Sequence, residues 1–217
     1  MFHMLPKGGL VMWPLFFASI IGTAVIIERI LFVLAQKRAE DPELRKKIFF
    51  YVGSGNFDRA RIVGENSKDS IVKVLTEGLK QKESLEMALF SAAQKEIKRY
   101  SRRIYILDTI ITLAPLLGLL GTVLGMISAF GLIGGQELGT PTMITGGIAQ
   151  ALIATAYGLV IAVACLIPHN WLNAYIEDLK DQMEQAGTEL ELLIAKFPKA
   201  EPPVKKRELY EAPASFR

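Results

Sequence analysis

Two long blocks without a charged residue constrain this chain more than any other feature of its sequence. Residues 109–136 and 138–176 contain 28 and 39 residues without one Asp, Glu, Lys or Arg. Apolar blocks of 18 or more residues are typical of membrane-spanning helices. The overall hydrophobic fraction of 51% points the same way. These blocks exclude an ordinary soluble enzyme and a disordered chain.

Three membrane spans follow from this pattern. A third apolar stretch lies near the N-terminus, and the predicted spans cover residues 10–34, 106–133 and 142–167. Each is long enough to cross a hydrocarbon core of about 30 Å. The sequence therefore predicts an all-α integral membrane protein.

The basic residues predict the direction of the spans. Of the 25 Lys and Arg residues, 16 lie in residues 36–105 and 7 follow residue 167. The positive-inside rule places both of these segments in the cytoplasm. The N-terminal stub, residues 1–9, and the loop 134–141 are then expected on the outer, periplasmic side.

The segment of residues 35–105 is predicted to form several cytoplasmic helices. Asp41-Pro42 is typical of an N-cap followed by proline in the first helical position. The sequence Gly53-Ser54-Gly55-Asn56 predicts a break, with Asn56 as the cap of a short helix over 57–65. Another helix is expected over 70–80.

Two of the spans are expected to extend into the cytoplasm as a helical bundle. Ser84 is a suitable cap, and no helix breaker stands between Leu85 and Ala114, so one unbroken helix is predicted into the second span. Helical spacing of apolar residues continues past the third span over residues 168–197. Residues 198–217 contain four prolines and many charges, which predicts a disordered tail.

The second span has two distinctive faces. Successive helical residues step by about 100°, which places one polar set within a narrow arc. That set is Asp108, Thr112, Pro115, Leu119, Thr122 and Met126. A neighbouring arc holds the small residues Ala114, Gly118, Gly121, Gly125 and Ala129. Small residues let membrane helices approach closely, so the second arc is predicted to be a packing face.

The third span repeats this arrangement. One broad face carries Gly147, Gln150, Ala151, Ala154, Thr155, Gly158, Ala162 and Cys165. A polar group in hydrocarbon needs a hydrogen-bonding partner, so Gln150 and Thr155 are expected to meet protein or water. Three spans are too few to enclose a wide polar pathway. We therefore expect a homo-oligomer in which the small faces form seams between subunits, with Gly118, Gly121, Gly125 and Gly158 in the packing seam.

Each of these features has an alternative interpretation. The small residues can serve packing alone, and the threonine hydroxyls can bond to backbone carbonyls one turn back. Asp108 can form an interfacial ion pair with Arg103 instead of acting as a functional carboxylate. We interpret Arg29 by default as an interfacial anchor, with Glu28 as its ion-pair partner.

Several function classes find no support in the sequence. A phosphate-binding loop, a nucleophile elbow and a zinc-binding pattern are all missing, and two histidines with one cysteine do not form a metal cluster. The net charge of +3 gives no indication of nucleic-acid binding. We therefore predict that the chain is not an enzyme, and that it holds no metal or cofactor.

Two motifs resemble a known family. The stretches LAPLLGLLGTVLGMI (113–127) and GIAQALIATAYGLVIAV (147–163) resemble the signature of the MotA/TolQ/ExbB proton-channel family, and Ile27-Glu28-Arg29-Ile30 also fits. The order of spans and cytoplasmic segments matches the ExbB/TolQ branch, since MotA-type chains have four spans. The resemblance covers about residues 10–197.

The resemblance implies an assembly and a mechanism. Members of this branch form homopentamers around two copies of a single-span partner of the ExbD/TolR type, in the bacterial inner membrane. An aspartate in the partner's span takes up and releases protons, and the proton motive force moves the partner to energise outer-membrane or cell-envelope processes.

The resemblance also implies residue roles. Thr155, Thr122 and Pro115 match motif positions and are expected to line a central proton pathway, with Thr112 on the same helix face. Gln150 stands where members commonly carry glutamate, so it keeps a polar role and loses a charged one. Asp108 is expected near the cytoplasmic mouth, where it would assist proton exit.

The sequence leaves two rival functions open. The first is a passive membrane scaffold that stabilises a partner without conducting protons. The second is a stator subunit of a surface-motility motor, which would use the same chemistry on a different cargo.

Overall fold

The computed structural model describes residues 9–81, 84–131 and 141–197, with side chains in the last range from Thr145 onward. Nearly all of the predicted stub, the predicted loop and the predicted tail therefore fall outside the described residues. The helices of the described part are α1 (Met12–Lys37), α2 (Pro42–Gly53), α3 (Phe57–Gly64), α4 (Ser70–Lys80), α5 (Leu85–Tyr100), α6 (Ile104–Gly131) and α7 (Pro141–Ala195).

Three of these helices are long and apolar enough to cross a membrane, as predicted: α1, α6 and the first half of α7. α6 and α7 pair along the length of α6, and α1 packs against both of them. α7 has 55 residues and continues through Pro168 to Ala195, as the spacing of its apolar residues predicts.

Helices α2, α4 and α5 pack against the second half of α7, and α3 packs on α2 and α4. We call this part of the molecule the polar bundle. α7 buries one apolar stripe along its length here. The stripe consists of Leu172, Leu179, Met183 and Leu190. Its spacing of four or seven residues keeps these side chains on one helix face, so α7 joins the apolar helices to the polar bundle as one continuous rod.

Asp69 connects two helices of the polar bundle. Its side chain is 1% exposed and caps α4 by accepting from the backbone N–H groups of Ile71 and Val72. The other carboxylate oxygen accepts from the backbone N–H of Asp41 at 2.9 Å and from Arg45 Nε at 2.8 Å. One buried carboxylate therefore satisfies donors at the start of both α2 and α4.

The predicted turn between α2 and α3 is confirmed, and the predicted caps are confirmed in part. Asp41 accepts from the backbone N–H of Leu44 at 3.0 Å, ahead of Pro42. Gly55 has a φ of 74°, a conformation that favours glycine. Asn56 and Ser84 occupy the N-cap positions of their helices, as predicted, but neither side chain makes a cap hydrogen bond.

The helix predicted to run unbroken from Leu85 to Ala114 is interrupted, so that prediction is also wrong. α5 ends at Tyr100, and Arg103 adopts a left-handed backbone conformation with φ of 67° immediately before α6. This conformation costs a non-glycine residue about 1–2 kcal/mol. The turn contains neither glycine nor proline, so contacts from elsewhere in the fold must stabilise it.

Arg29 of α1 supplies those contacts. Its side chain is buried, and its Nη1 donates to the carbonyl oxygens of Arg99 and Tyr100 at 3.4 and 3.5 Å. The last carbonyls of a helix have no partner within the helix. Glu28 accepts from Arg29 at 2.9 Å and also pairs with Arg103. Arg29 therefore caps the C-terminus of α5 from a buried position, so its interpretation as an interfacial anchor is wrong, while its predicted pairing with Glu28 is confirmed.

Tyr100 fixes the end of α5 from a second direction. Its ring meets Phe32 of α1 edge-on, with the ring centroids 5.3 Å apart. Its hydroxyl lies 3.0 Å from Ser70 Oγ at the start of α4. Burial raises the pKa of the Tyr100 phenol, so the group stays protonated and can share this hydrogen bond. The end of α5 is thus held by α1 and α4 together.

We expect Asp69→Ala to lower the stability of the polar bundle by about 3 kcal/mol, since breaking a buried ion pair leaves its partner without compensation. The change also removes the cap of α4. Asp41→Ala is the matched control, because it removes a more exposed cap worth about 1 kcal/mol. Thermal unfolding in detergent would measure both, and equal losses for the two variants would contradict this role of Asp69.

Candidate functional site

The α6–α7 seam brings two membrane helices into backbone contact. Its α6 side consists of the buried small residues Ala114, Gly118, Gly121, Gly125 and Ala129. A Cβ atom added at Gly118 would lie 3.0 Å from the Cα of Thr155, and one at Gly125 would lie 2.9 Å from the Cβ of Ala151. Distances this short leave no space for a larger side chain. The predicted packing face is therefore present, with atoms of α6 and α7 in direct contact along it.

The seam lies within one chain, which corrects its predicted place between subunits. A Cβ at Gly121 would lie 2.5 Å from the Cβ of Ala154, and one at Gly158 would overlap the carbonyl oxygen of Ala114. The small faces of α6 and α7 are thus already used against each other. Contacts between copies of the chain would have to use other surfaces.

The two edges of the seam differ. α1 covers one edge, where Val11 lies 3.8 Å from the Cβ position of Gly121 and Cys165 lies 2.9 Å from that of Gly22. Because successive helical residues step by about 100°, Thr122 and Gly121 lie on opposite sides of Gly118 around α6. This second edge lies away from α1, and in the described part of the chain α6 packs mainly against α7 and α1. We call it the threonine edge, after Thr112, Thr122 and Thr155.

The predicted polar residues of α6 follow the threonine edge. Pro115 and Thr122 are half-buried, while Asp108 and Thr112 are exposed in the single chain. Thr155 of α7 is also half-buried and joins them from the opposite helix. The structure therefore brings together five of the six residues predicted for the pathway.

Thr155 differs from the other threonines in its hydrogen bond. Its hydroxyl donates across the seam to the carbonyl oxygen of Gly118 at 2.9 Å. Thr112 and Thr122 instead donate to carbonyls of their own helix, those of Asp108 at 3.2 Å and Leu119 at 2.6 Å. The alternative interpretation of the hydroxyls as satisfied one turn back holds for these two. The bond of Thr155 links α6 to α7.

Pro115 removes one backbone donor from the same stretch of α6. A proline inside a helix has no N–H, so the carbonyl four residues earlier loses its usual partner. In α6 that carbonyl belongs to Ile111. One turn of the helix on this edge therefore carries extra hydrogen-bonding capacity at membrane depth.

Gln150 does not lie with the threonines. Its amide packs against the backbone of Gly9, which has a φ of 74°. The helical step of about 100° per residue places Gln150 about 140° from Thr155 around α7. Gln150 therefore lies on the side that α1 covers. The structure thus separates the sixth predicted pathway residue from the other five.

Asp108 does not form the interfacial ion pair weighed for it. Within the described part of the chain, no Lys or Arg nitrogen lies within 4.0 Å of its carboxylate, and Arg103 pairs with Glu28 instead. Asp108 lies one turn into α6 from the polar bundle, on the same face as Thr112. Its carboxylate is exposed and faces away from α1.

The sequence indicated Glu28 and Arg29 only as an adjacent charge pair near the end of an apolar helix. Their function as a cap of α5 depends on residues 70 positions away in the chain, which no local pattern specifies. This cluster sets where α6 begins. It therefore fixes the height of the threonine edge relative to the polar bundle.

Comparison with known proteins identifies close similarities over most of the chain. A sequence model of the MotA/TolQ/ExbB proton channel family matches residues 63–185. The chain is 35% identical over 195 residues to biopolymer transport protein ExbB-like 1 of Synechocystis sp., an alignment that covers 86% of this chain and 76% of that protein. It is 32% identical over 131 residues to the Tol-Pal system protein TolQ of Haemophilus influenzae, covering 60% and 53%. Biopolymer transport protein ExbB of Aquifex aeolicus is 44% identical over 82 residues, covering 38% and 55%.

We expect Gly121→Leu to prevent α6 and α7 from pairing within each chain, because the new side chain would overlap Ala154. Gly146→Leu is the matched control, since a Cβ at Gly146 meets nothing within 4 Å. Limited proteolysis of the detergent-solubilised protein would show rapid cleavage of the first variant and a wild-type pattern for the second. A Gly121→Leu chain that stays folded but loses its oligomer would restore the seam to the subunit interface.

Proposed function

Because this chain belongs to the MotA/TolQ/ExbB proton channel family, in its ExbB/TolQ branch, we propose that it is the channel-forming subunit of a proton-driven complex. In this proposal the complex lies in the bacterial inner membrane and uses the proton motive force to drive a single-span partner of the ExbD/TolR type. The observation that carries the proposal is the threonine edge, where Thr155 bridges the two helices beside Thr122 and Pro115.

The proposed topology places the polar bundle in the cytoplasm. The excess of Lys and Arg in residues 36–105 supports this direction by the positive-inside rule. The N-terminus and residues 134–141 then lie in the periplasm. α1, α6 and the first half of α7 would cross the membrane, and the rest of α7 would extend into the cytoplasm.

In the proposed assembly, five copies of the chain surround two copies of the partner, with the threonine edges turned towards the common axis. Half-buried hydroxyls at membrane depth support this placement, because polar groups facing lipid are costly. α1 lies on the opposite edge, where it would form the outer wall against lipid.

The proposed chemistry needs a neutral, hydrogen-bonding lining. A partner aspartate in the central space would alternate between its charged and neutral forms as it carries protons. Hydroxyl groups lower the cost of the charged form without fixing it as a cation would. Each proton that crosses 100 mV releases about 2.3 kcal/mol, which is comparable to the free-energy differences between protein conformers. Two protons in each step would be enough to change the conformation of the complex.

A non-conducting scaffold is the second candidate function. The hydroxyls of Thr112 and Thr122 already donate to carbonyls of their own helix, as expected of residues that only satisfy their hydrogen bonds. In a scaffold, the same threonine edge would pack against a partner helix without moving protons.

We expect Thr155→Val to reduce proton flux at least about tenfold, since one hydrogen bond to a charged group is worth about 1.5–3 kcal/mol. Valine keeps the shape of threonine but cannot donate a hydrogen bond, either to the carboxylate of the partner aspartate or across the seam to Gly118. Thr155→Ser is the matched control, because it keeps the hydroxyl and should keep most of the flux. The measurement is pH-gradient decay in liposomes that contain the chain and its partner, after native mass spectrometry has confirmed equal assembly.

The result of that experiment separates the two candidates. Undiminished flux with Thr155→Val would remove Thr155 from the pathway. Absence of partner-dependent flux in the wild-type complex would favour the scaffold.

We expect Asp108→Asn to have a milder effect on flux than Thr155→Val. Asp108 is exposed at the end of α6 next to the polar bundle, where water can replace its function in proton exit. The same liposome assay compares the two variants directly. A larger loss for Asp108→Asn would make this carboxylate a principal proton site.

A further inference from the structure

The corner between α5 and α6 is a basic surface. Its cationic residues surround a shallow depression of about 590 Å³. They are Lys95, Lys98, Arg99, Arg102 and Arg103. Within α5, the spacing of three or four residues places Lys95 on the same helix side as Lys98 and Arg99, and Arg102 and Arg103 follow in the turn before α6. We call this surface the basic corner.

Within the part of the chain that the structure describes, three of the five cations have no acidic partner. Arg103 pairs with Glu28, and Arg99 pairs with Glu96 at 3.4 Å. The other three, Lys95, Lys98 and Arg102, are exposed, and among the described residues no carboxylate oxygen lies within 4.0 Å of their nitrogens. The basic corner therefore has uncompensated positive charge available to an external anion.

The position of the basic corner identifies the source of that anion. α6 begins at Ile104, directly after the basic corner, and its 28 residues span about 42 Å at 1.5 Å per residue. A bilayer with its headgroup layers is about 40–45 Å thick. A membrane-spanning α6 therefore has its first residues at the level of the headgroups. Tyr105 is 70% exposed there, in the place where aromatic residues favour the membrane interface.

We propose that the basic corner binds the phosphate groups of anionic phospholipids in the leaflet next to the polar bundle. An open depression with several separate positive charges suits lipid headgroups, whereas a closed site would suit a single free phosphate. The turn that Arg29 caps lies within this surface, between Arg99 and Arg103. The proposal depends on the membrane placement of α6, and not on the proton pathway.

The test uses the full-length protein, in its isolated assembly, with native mass spectrometry. Phosphatidylglycerol or phosphatidylcholine is added stepwise, and the apparent Kd of bound lipid is measured. Glycerol 3-phosphate forms a third arm, because it carries the same phosphate without acyl chains. The test variant is Lys95→Gln/Lys98→Gln/Arg102→Gln. The matched control is Lys47→Gln/Arg59→Gln/Arg61→Gln, which removes the same charge from exposed sites on α2 and α3.

The expected result is a preference of the wild-type protein for phosphatidylglycerol that falls at least about tenfold in the test variant, since each basic residue near an anionic surface contributes about 1 kcal/mol. The control variant should keep the wild-type preference. Unchanged lipid affinity in the test variant would overturn the proposal, and so would an equal loss in the control or equal binding of glycerol 3-phosphate.

A further outcome identifies a different occupant. If the test variant binds lipid normally but its assembly dissociates, the basic corner contacts acidic residues of another copy, and the lipid proposal is wrong. Both variants change exposed residues, and their melting temperatures provide the folding check. Loss of lipid binding with normal proton flux would leave the proposed channel function intact.

Discussion

The close contact between α6 and α7 is the constraint on which the rest of the structure depends. Lipid offers no hydrophobic drive for helix association, so two membrane helices are held by dispersion and by hydrogen bonds across their interface. Gly118 and Gly158 allow backbone to meet backbone at this interface. Only that short separation lets the hydroxyl of Thr155 reach a carbonyl of the other helix. The candidate site is therefore a consequence of the packing, and not an addition to it.

A second constraint acts at the end of the membrane region. Burying the Arg29 guanidinium is costly unless hydrogen bonds and a counter-charge compensate, and Glu28 together with the last carbonyls of α5 provides both. The same contacts hold Arg103 in its left-handed conformation. One buried cation thus separates α5 from α6 and sets the height at which the apolar helix begins.

Local pattern was enough to predict most elements of this fold, but not their partners. Charge-free blocks predicted the three apolar helices, and the helical step predicted the stripe of small residues on α6. The stripe alone does not indicate whether α7 or a second copy of the chain covers it, because both present a face of small residues. The break before Ile104 was missed because its cause, Arg29, lies about 70 residues away. Gln150 was grouped with Thr155 on one broad face, and only the position of α1 divides that face into two edges.

This division gives the candidate site its chemical character. On the edge that α1 covers, Gln150 packs against backbone and is shielded. On the threonine edge, the acceptor of Thr155 is a carbonyl that α6 already uses within its own helix, so the hydroxyl can leave it without creating an orphaned buried group. A hydroxyl held in this way can exchange its acceptor for water or for an incoming carboxylate at low cost. The neighbouring Pro115 provides a carbonyl that lacks its helical N–H partner, and so extends the same exchangeable hydrogen bonding along the edge. In the proposed complex, a lining of this kind would favour proton movement over permanent binding of an ion.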